Sequence, residues 1–494
     1  MGKSPSTKRC VGSPPRQTED PLSPPCVAHF SGDNGGSTAA GVTRDEVRLL
    51  VYFQGSAPGT YTITDRGAEQ DPDPNQIFDL SRPAADNEPF QVRSFRLWQR
   101  FFNERYQTYG RFVRFFVHYG SDVDGPEARR ADASTGLKEV DPFAVLLMSQ
   151  LNADAYLDVV SRHGVLSFLG RGTADPNPGL AAASFQKYAG LFWAYDPSVE
   201  KRAAVVTGAL CRQLVGRPVS FSGNAQDQGT PRVLGMYRAD DRRMPQLQRY
   251  AALVKSGVEA CGGTWAAEAT FPESKCIECG SSPEYAVKAV AGFREAGVTT
   301  VVWPGGFETR FSKAAAAAGW FPEIVLGGDG VSEDNLRATT NDQRVWAHTT
   351  AITAMLRSGD TSSRPCGQAA READPETADA GVACESYETA RQVFIGIQVA
   401  GPRLTSSAVD KGFHAIPAVA STDPSIPACF YEASDYTCVK DAMLTWWDPS
   451  GTNPASGQPG CNRMVDGGLR RLAGGWSDRD IAAGRTAGDP CNGG

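Results

Sequence analysis

The sequence predicts an α/β protein made of two Rossmann-like, doubly wound lobes. From residue 46 onwards, apolar segments of strand length alternate with amphipathic segments of helix length, and the alternation restarts after a junction near 195–197. Such β-α-β alternation indicates a parallel sheet with helices on both faces. At 494 residues and 41% hydrophobic content, the chain is long enough for two or three domains with large cores.

The first half of the pattern begins with EVRLLVYF (46–53), an apolar run typical of a buried strand. Aromatic and apolar residues three and four positions apart then predict an amphipathic helix over 91–109. The elements predicted after it are strand 111–119, helix 125–140, strand 142–149, helix 152–164 and strand 165–170.

The second half repeats the alternation. Its predicted elements are helix 198–216, strand 232–240, helix 245–261, strand 264–271, helix 284–297, strand 299–306, helix 307–319 and strand 322–330. After about residue 342 the pattern is less regular, although 386–400 has the apolar stripe of a helix and AMLTWWDPSG (442–451) is typical of a strand ending in a turn.

Two polar segments interrupt this order. Residues 1–43 are rich in Pro, Ser and Gly and predict a flexible N-terminal arm. Residues 57–89 form a long polar insertion containing DPDPNQIFD. Its alternating acids suggest a calcium loop, but the prolines and the missing central glycine favour an ordinary solvated loop.

Charge and motifs argue against several functional classes. The formal net charge is −7 with acids and bases interspersed, so no nucleic-acid partner is expected. No run of about 18 apolar residues that would span a bilayer occurs. The five histidines lie in unrelated contexts, and no zinc-protease, nucleophile-elbow or Walker pattern appears. We therefore expect a protein that is not an enzyme and needs no cofactor.

The twelve cysteines predict a disulfide set made in an oxidising, extracytoplasmic compartment. The pair in KCIECG also admits a zinc site or a redox dithiol, but no second Cys-x-x-Cys and no thioredoxin-like context accompany it. The N-terminus lacks the apolar core of a signal peptide, so a secretion signal is expected to be missing from this version of the chain, and a lipid anchor is not supported. The pairs expected by proximity are Cys10–Cys26, Cys211–Cys261, Cys276–Cys279, Cys366–Cys384, Cys429–Cys438 and Cys461–Cys491.

Candidate ligand contacts follow the predicted strands, because doubly wound sheets bind ligands at the carboxyl ends of their strands. The loops there supply hydroxyls, charged groups and aromatic side chains, which are the groups that a small polar ligand requires. The candidates are Ser56, Ser149, Gln150, Arg171 and Thr173 in the first half, and Tyr237, Trp303, Phe307 and Asp329 in the second.

Five stretches, read in order, resemble the bacterial type I periplasmic binding proteins of the branched-chain amino-acid type. They are GVTRDEVRLLVYF, FVHYGSDVDGPEARRADA, SFLGRGTADPNPGL, VTTVVWPGGFETRFSKAAAAAGW and EIVLGGDGVSED. The resemblance implies two lobes joined by a three-strand hinge, with lobe 1 formed by 44–196 and 350–425, lobe 2 by 197–349 and 426–480, and a tail at 481–494. It also implies a monomer that captures a small molecule between the lobes and delivers it to the permease of an ABC transporter.

The resemblance also suggests roles for single residues. Ser149 and Thr173 match positions that hold a ligand carboxylate, Phe307 in WPGGFE matches an aromatic wall with Trp303 nearby, and Asp329 in GGDG matches the acid that receives an ammonium group. The family's D-x-x-Y-G segment is replaced by ADDRRM (239–244), which removes an aromatic wall and argues against a simple branched-chain amino acid.

Structural alternatives exist for these residues. Ser149 can cap the following helix, and Asp329 can organise a turn. Arg171 could bind a ligand carboxylate bidentately, but it can also be an ordinary surface arginine. Trp303 and Phe307 can belong to the core. Two other functions also fit the sequence: a ligand sensor or scaffold that signals to a partner protein, and, less well, a secreted enzyme with an unrecognised site.

Overall fold

The computed structural model describes residues 10–11, 16–17, 23–55, 73–85, 88–148, 152–170, 179–240, 245–272, 284–328, 335–354, 365–376, 384–418, 427–454 and 456–492. Strands β1 (Cys10–Val11) and β2 (Arg16–Gln17) form a short antiparallel pair in the N-terminal arm. The other strands form two sheets, and each sheet is the centre of a lobe.

Lobe 1 contains a six-stranded sheet. Its strands are β3 (Glu46–Phe53), β4 (Ile77–Asp79), β5 (Phe112–Tyr119), β6 (Ala144–Leu147), β7 (Leu166–Leu169) and β8 (Phe192–Ala194). Their order is β4-β5-β3-β6-β7-β8, and every pair is parallel except the edge pair of β4 with β5.

Lobe 2 contains an eight-stranded sheet. Its parallel strands are β9 (Leu234–Ala239), β10 (Trp265–Phe271), β11 (Thr300–Trp303), β12 (Glu323–Leu326) and β13 (Thr349–Thr353). They run in the order β10-β9-β11-β12-β13, and β14 (Asp441–Thr452), β15 (Pro459–Met464) and β16 (Arg471–Leu472) add antiparallel pairs at one edge.

Helices connect the strands in both lobes. They are α1 (Phe90–Arg105), α2 (Pro126–Val140), α3 (Ala153–Arg162), α4 (Ala182–Lys187), α5 (Val199–Gln213), α6 (Pro245–Ala260), α7 (Glu284–Glu295), α8 (Arg310–Ala317), α9 (Asn335–Thr339), α10 (Gln343–Trp346), α11 (Pro365–Ala373), α12 (Cys384–Ala400) and α13 (Ser406–His414). Helices α11 and α12 come late in the chain but contact α1, so the chain returns to lobe 1 after building most of lobe 2.

The parallel strands of both lobes have the same order when numbered within each lobe, 2-1-3-4-5. In this doubly wound order, the direction of winding reverses between the first and third strands, and ligands bind at the carboxyl ends of the strands beside that switch point. The switch point lies between β3 and β6 in lobe 1 and between β9 and β11 in lobe 2.

The hydrophobic cores follow the two sheets. One cluster of buried residues spans 42–194 and 366–438, and two others cover 199–352 and 442–481. Strand β13 lies in the lobe 2 sheet, and Tyr431 and Tyr436 pack into the lobe 1 cluster. The predicted boundary at 349/350 falls at the start of β13, and the one at 425/426 lies 13 residues before Cys438, which still belongs to the lobe 1 cluster; both positions stay predictions.

The structure confirms the doubly wound fold class that the alternation predicts. Strand β3 has the predicted bounds, and the helix predicted over 91–109 ends early, at Arg105. The insertion 57–89 was expected to be a solvated loop, and this expectation is wrong for β4, which pairs with β5. Asp79 in β4 accepts hydrogen bonds from Arg114 in β5 and from Ser81; burial raises the pKa of Asp79, but these hydrogen bonds outweigh burial and lower it to about 2.

Three predicted disulfides are confirmed. They are Cys211–Cys261, Cys429–Cys438 and Cys461–Cys491, with Cα–Cα distances of 5.9, 4.6 and 5.7 Å. Cys26 and Cys366 are also disulfide-bonded, whereas the side chains of Cys10 and Cys384 are not among the described ones. Cys276 and Cys279 lie outside the described residues, so these three further pairs stay predictions.

The described ranges contain neither a candidate membrane span nor a candidate metal site. Among those residues no helix is long and apolar enough to cross a membrane. Within the same ranges, no group of three or more His, Cys, Asp or Glu side chains could hold a metal ion.

Candidate functional site

The carboxyl edges of the two sheets form the candidate site. At the lobe 1 switch point, Tyr52 in β3 is in register with Leu147 in β6, and the Met148 amide donates to the Tyr52 carbonyl over 2.9 Å. These two strands lead directly into the segments that contain Ser56, Ser149 and Gln150. Ser56, Ser149, Gln150, Arg171, Thr173 and Asp329 themselves lie outside the described residues, so their ligand contacts stay predictions.

A buried polar cluster lies beneath the lobe 1 edge. The Tyr52 hydroxyl donates to the Asp132 carboxylate and accepts from the Arg129 guanidinium, each over 2.7 Å. Asp132 also accepts from the Ser121 amide at 3.0 Å, and Arg129 donates to the carbonyls of Ser121 and Val123 at 2.7 Å. Tyr52, Arg129 and Asp132 therefore fix the loop that follows β5 against the end of β3 and against α2.

The His118 side chain lies beside this cluster. Its ring is fully buried in β5, and neither ring nitrogen has a partner among the described residues. Burial lowers the pKa of His118 to about 4; Asp132 opposes this shift and Arg129 adds to it. His118 is therefore neutral at physiological pH.

Two glycines bring the lobe 1 edge together. Gly55 has a φ of 50°, and a Cβ there would lie 2.6 Å from the Asp122 carboxylate. A Cβ on Gly170, at the end of β7, would lie 2.3 Å from the Met148 sulfur and 2.9 Å from the Thr389 hydroxyl. Helix α12 can approach the ends of β6 and β7 because residue 170 has no side chain.

In lobe 2, the candidate site contains a buried carboxylate that the sequence analysis missed. Glu308 is 4% exposed and accepts hydrogen bonds from the Tyr237 hydroxyl at 2.9 Å and the Tyr285 hydroxyl at 3.1 Å. It also accepts from the amides of Arg310 at 2.6 Å and Phe311 at 2.9 Å, in the first turn of α8. A carboxylate at a helix N-terminus is favoured by the free amides there.

Burial and hydrogen bonding act in opposite directions on the pKa of Glu308. Burial raises this pKa above its usual value, while the hydrogen bonds from Tyr237, Phe311, Arg310 and Tyr285 lower it. Burial also raises the pKa of Tyr237, and the Glu308 charge adds to that effect, so Tyr237 remains a hydrogen-bond donor. One carboxylate thus connects the end of β9, the start of α7 and the start of α8.

The sequence contained a signal for this residue that was not used. Glu308 is the second residue of the Ala-rich segment predicted as a helix over 307–319, and acidic residues are enriched near helix N-termini. Its two tyrosine partners are 71 and 23 residues away in the chain, so no local spacing revealed them.

The predicted aromatic residues lie close together around this carboxylate. Tyr237 is fully buried, and its ring centroid is 5.0 Å from that of Trp303 in an edge-to-face contact. The Trp303 indole nitrogen donates to the carbonyls of Gly305 and Gly306 at 3.2 and 3.1 Å, and Phe307 is 3% exposed. Trp303 therefore packs as a core side chain that also holds the Gly-Gly turn; ligand contact by Tyr237, Trp303 or Phe307 stays a prediction.

Gly327 and Gly328, which follow β12, allow a close approach of backbone segments. A Cβ on Gly327 would lie 2.8 Å from the Pro304 backbone, and one on Gly328 would lie 1.9 Å from the Ile352 carbonyl oxygen. Gly328 also has a φ of 72°. Its carbonyl accepts a hydrogen bond from Arg202. The residue that follows in the chain is Asp329.

The described ranges place three passages of the chain, called crossings, between the lobes. The first crossing runs from β8 to α5. The third runs from residues 427–440, which we call the hinge hairpin, to β14. These two crossings lie side by side, and the Val439 amide donates a hydrogen bond of 2.9 Å to the Tyr195 carbonyl. The second leaves β13 at Ala354. The buried Arg470 guanidinium donates to the Ala354 carbonyl at 3.0 Å and to the Asp441 carboxylate at 2.9 Å, and so joins the second crossing to the third.

Comparison with solved structures places this architecture among known proteins. A solute-binding protein of an ABC transporter from R. palustris, in complex with 4-hydroxybenzoate, is 12% identical with a TM-score of 0.56; the match covers 87% of this chain and 97% of that one. A branched-chain amino-acid ABC transporter periplasmic ligand-binding protein from Burkholderia xenovorans LB400 is 13% identical with a TM-score of 0.55, over 88% and 100% of the two chains.

A substrate-binding protein of an ABC transporter from Aeropyrum pernix has a TM-score of 0.57 at 10% identity, over 87% of this chain and 96% of that one. No family model and no curated protein matches the chain. Identities this low establish the fold alone. The chain has the fold of the type I periplasmic binding proteins, because it has two doubly wound lobes of the same strand order, three described crossings between them and this structural likeness.

Proposed function

We propose that this chain is an extracytoplasmic solute-binding protein that captures a small polar ligand between its lobes. The observation that carries the proposal is the repeated strand order, which gives each lobe a switch point with its own ligand-binding edge. Structures with the same fold include two ABC-transporter solute-binding proteins in complex with 4-hydroxybenzoate and with 3,4-dihydroxybenzoic acid.

Capture takes place by hinge closure. Each lobe has its own core, and the crossings between them are a few backbone segments, which is the construction of a hinge-bending protein. The closed form is stabilised by a ligand that touches both lobes, because only differential contacts shift such an equilibrium. Arg470, which joins two crossings, limits the directions in which the hinge bends.

The ligand bears a carboxylate or resembles an amino acid. In this proposal Ser56, Ser149, Gln150, Thr173 and Arg171 of lobe 1 bind its polar groups, since hydroxyls and guanidinium groups are good partners for a carboxylate. Asp329 of lobe 2 receives an ammonium group or a hydroxyl. Phe307 forms the apolar wall, and Tyr237 and Trp303 support it from behind.

The partner that follows from this role is an ABC importer, to whose permease the closed, loaded protein delivers the solute. A location outside the cytoplasm agrees with the disulfides in both lobes. The protein acts as a monomer and releases its ligand chemically unchanged, without a cofactor.

Native mass spectrometry of the purified full chain, followed by calorimetric titration, tests this function. The panel contains 4-hydroxybenzoate, 3,4-dihydroxybenzoate and leucine, together with other small acids, amino acids and amides. The expected result is binding of one intact molecule per chain and a higher melting temperature. Turnover of the bound compound, or a panel in which nothing binds, would count against the proposal.

A further inference from the structure

The two residues that precede Asp329 in the chain are held by donors from within lobe 2. The Gly327 carbonyl accepts a hydrogen bond from the Tyr250 hydroxyl, and the Gly328 carbonyl accepts one from the Arg202 guanidinium. Tyr250 is fully buried, and Arg202 is 4% exposed. Because an arginine keeps its charge in a protein, a permanent cation is fixed against the backbone that leads to Asp329.

Arg202 stands where lobe 2 joins the hinge. It lies in the first turn of α5, and its amide donates a hydrogen bond of 2.9 Å to the Ser198 carbonyl at the end of the first crossing. One small cavity is lined by Arg202, by Gly328 and by residues of all three crossings, Pro197, Ala354 and Lys440. The Arg202 charge therefore belongs to the hinge side of the lobe 2 edge.

Other described charges around the crossings balance one another. Three acids stand there with three cations; the acids are Asp196, Asp435 and Asp441, and the cations are Lys201, Lys440 and Arg470. Two further ion pairs nearby are also balanced, namely Glu200 with Arg249 and Glu388 with Arg391. Arg202 adds one positive charge to this set, directly beside Gly328.

Three described acids at the cleft edges lie away from this charge. Asp122 and Asp124 follow β5, and Asp240 follows β9. In each sheet, the switch point separates that strand from the strands that lead into the crossings. These acids therefore act on the far end of the cleft, and Arg202 acts on the end beside Asp329.

A guanidinium beside a carboxylate changes which ligand group the carboxylate prefers. An ammonium group brought against Asp329 would add a second cation to one anion, and burying surplus charge as the lobes close is unfavourable. An ammonium group also carries three donors, which need several acceptors, whereas a hydroxyl group needs only one. The Gly327 and Gly328 carbonyls already accept hydrogen bonds, so a hydroxyl suits this loop better than an ammonium group.

We propose that the solute group which meets the loop after β12 is a neutral hydroxyl and not an ammonium group, and that Arg202 determines this preference. The inference rests on the proposed function and narrows its ligand to a carboxylic acid that carries a hydroxyl group at this end. Arg202 acts through its charge and through the Gly328 carbonyl. It is a specificity-determining residue that does not itself touch the solute.

Pairs of acids that differ only in this group test the proposal. They are 2-hydroxyisocaproate with leucine, 3-phenyllactate with phenylalanine, both of matching configuration, and 4-(hydroxymethyl)benzoate with 4-(aminomethyl)benzoate. Each compound is titrated calorimetrically into the full chain at about pH 7, where the amines are charged. Wild type is expected to bind the hydroxy acid of a pair about tenfold more tightly, the effect of two like charges about 12 Å apart at an effective dielectric constant of about 20.

Variants of Arg202 separate a charge effect from a merely structural one. Arg202→Met removes the charge and is expected to abolish the preference, whereas Arg202→Lys keeps the charge and should keep the preference. A purely structural loss would weaken both members of a pair equally and leave their ratio unchanged. Arg212→Met, at an exposed position of the same helix, is the matched control and should show the wild-type ratio.

The possible failures are distinguishable. The inference is overturned if wild type binds the amino compound of a pair as tightly as the hydroxy acid, or if folded Arg202→Met keeps the wild-type ratio. Either result leaves capture between the lobes intact, because an acid still binds. If all six compounds fail to bind, the carboxylate-bearing ligand of the proposed function fails together with this inference.

Discussion

The Tyr237 hydroxyl donates a hydrogen bond of 2.9 Å to the Glu308 carboxylate, which joins the end of β9 to the turn before α8. Glu308 accepts at least three more hydrogen bonds, from Tyr285, Arg310 and Phe311. A buried carboxylate with this many donors holds together the lobe 2 edge on which Phe307 stands. The packing of that edge is therefore polar at its centre and aromatic around it.

Glu308→Gln is expected to lower the free energy of unfolding by about 2 kcal/mol, because an amide leaves at least one of these buried donors without an acceptor. Urea denaturation measures the change. Glu127→Gln on α2, where the side chain is exposed, provides the control and should change stability by less than about 0.5 kcal/mol. Equal stabilities of the two variants would show that the Glu308 network does not hold the edge.

His118 is expected to make the protein less stable in acid. Its pKa is about 4 in the folded protein, below the value of roughly 6.5 for an unperturbed histidine. Between these values the unfolded chain binds more protons, so stability is fully present above about pH 6.5 and falls as the pH drops towards 4. At pH 5 the loss amounts to about 2 kcal/mol relative to pH 7.5.

The comparison of wild type with His118→Leu isolates this contribution. Both proteins are unfolded in urea at pH 7.5 and pH 5, and the leucine variant should lose about 2 kcal/mol less between the two values. Asp132 and Arg129 lie close to His118 in both proteins and contribute equally to the background. If the two proteins lost the same stability, His118 would not be a neutral buried residue.

Gly328→Ala is expected to destabilise lobe 2 far more than Gly319→Ala. Both glycines have positive φ, 72° and 62°, so both substitutions carry a backbone cost of about 1–2 kcal/mol. Only at Gly328 would the new Cβ meet backbone, at 1.9 Å from the Ile352 oxygen; at Gly319 nothing lies within 4 Å. Unfolding measurements that gave similar costs for both variants would argue against a close approach of β12 and β13 at Gly328.

We expect each confirmed disulfide to contribute to the free energy of unfolding according to the length of the loop that it closes. Cys211–Cys261 spans 50 residues and Cys429–Cys438 spans 9. The chain-entropy relation gives about 4 kcal/mol for the first and about 2.7 kcal/mol for the second. Paired Cys→Ser variants, compared by urea denaturation, should lose free energy of unfolding in that order. A larger loss at Cys429–Cys438 than at Cys211–Cys261 would mean that the hinge hairpin depends on its disulfide for more than loop entropy.

Sequence patterning predicted most of the fold because the parallel strands are short apolar runs between amphipathic helices. It missed β13, Thr349–Thr353, because three of its five residues are threonine and the segment does not look apolar, although all five are buried. It also missed β8, because a three-residue strand has no periodicity. The long-range pairing that buries such strands is not written in local composition.

The candidate site was predictable only in part. The strand ends could be located from the pattern, and with them the segments that carry Ser149 and Asp329. Glu308 could not be assigned its role, because Tyr237 and Tyr285 reach it from other elements. A tryptophan such as Trp303 has the same signature in sequence whether it lines a cleft or fills a core, and here its contacts with Tyr237 and Phe311 are core contacts.

Calorimetric titration with the solute identified by native mass spectrometry tests the central claim, capture between two lobes, most directly. The solute is titrated into wild type, Ser149→Ala in lobe 1 and Asp329→Ala in lobe 2. We predict that each variant binds at least about tenfold more weakly, the effect of losing one hydrogen bond to a charged group on either side of the cleft. Full affinity in both variants would contradict the claim.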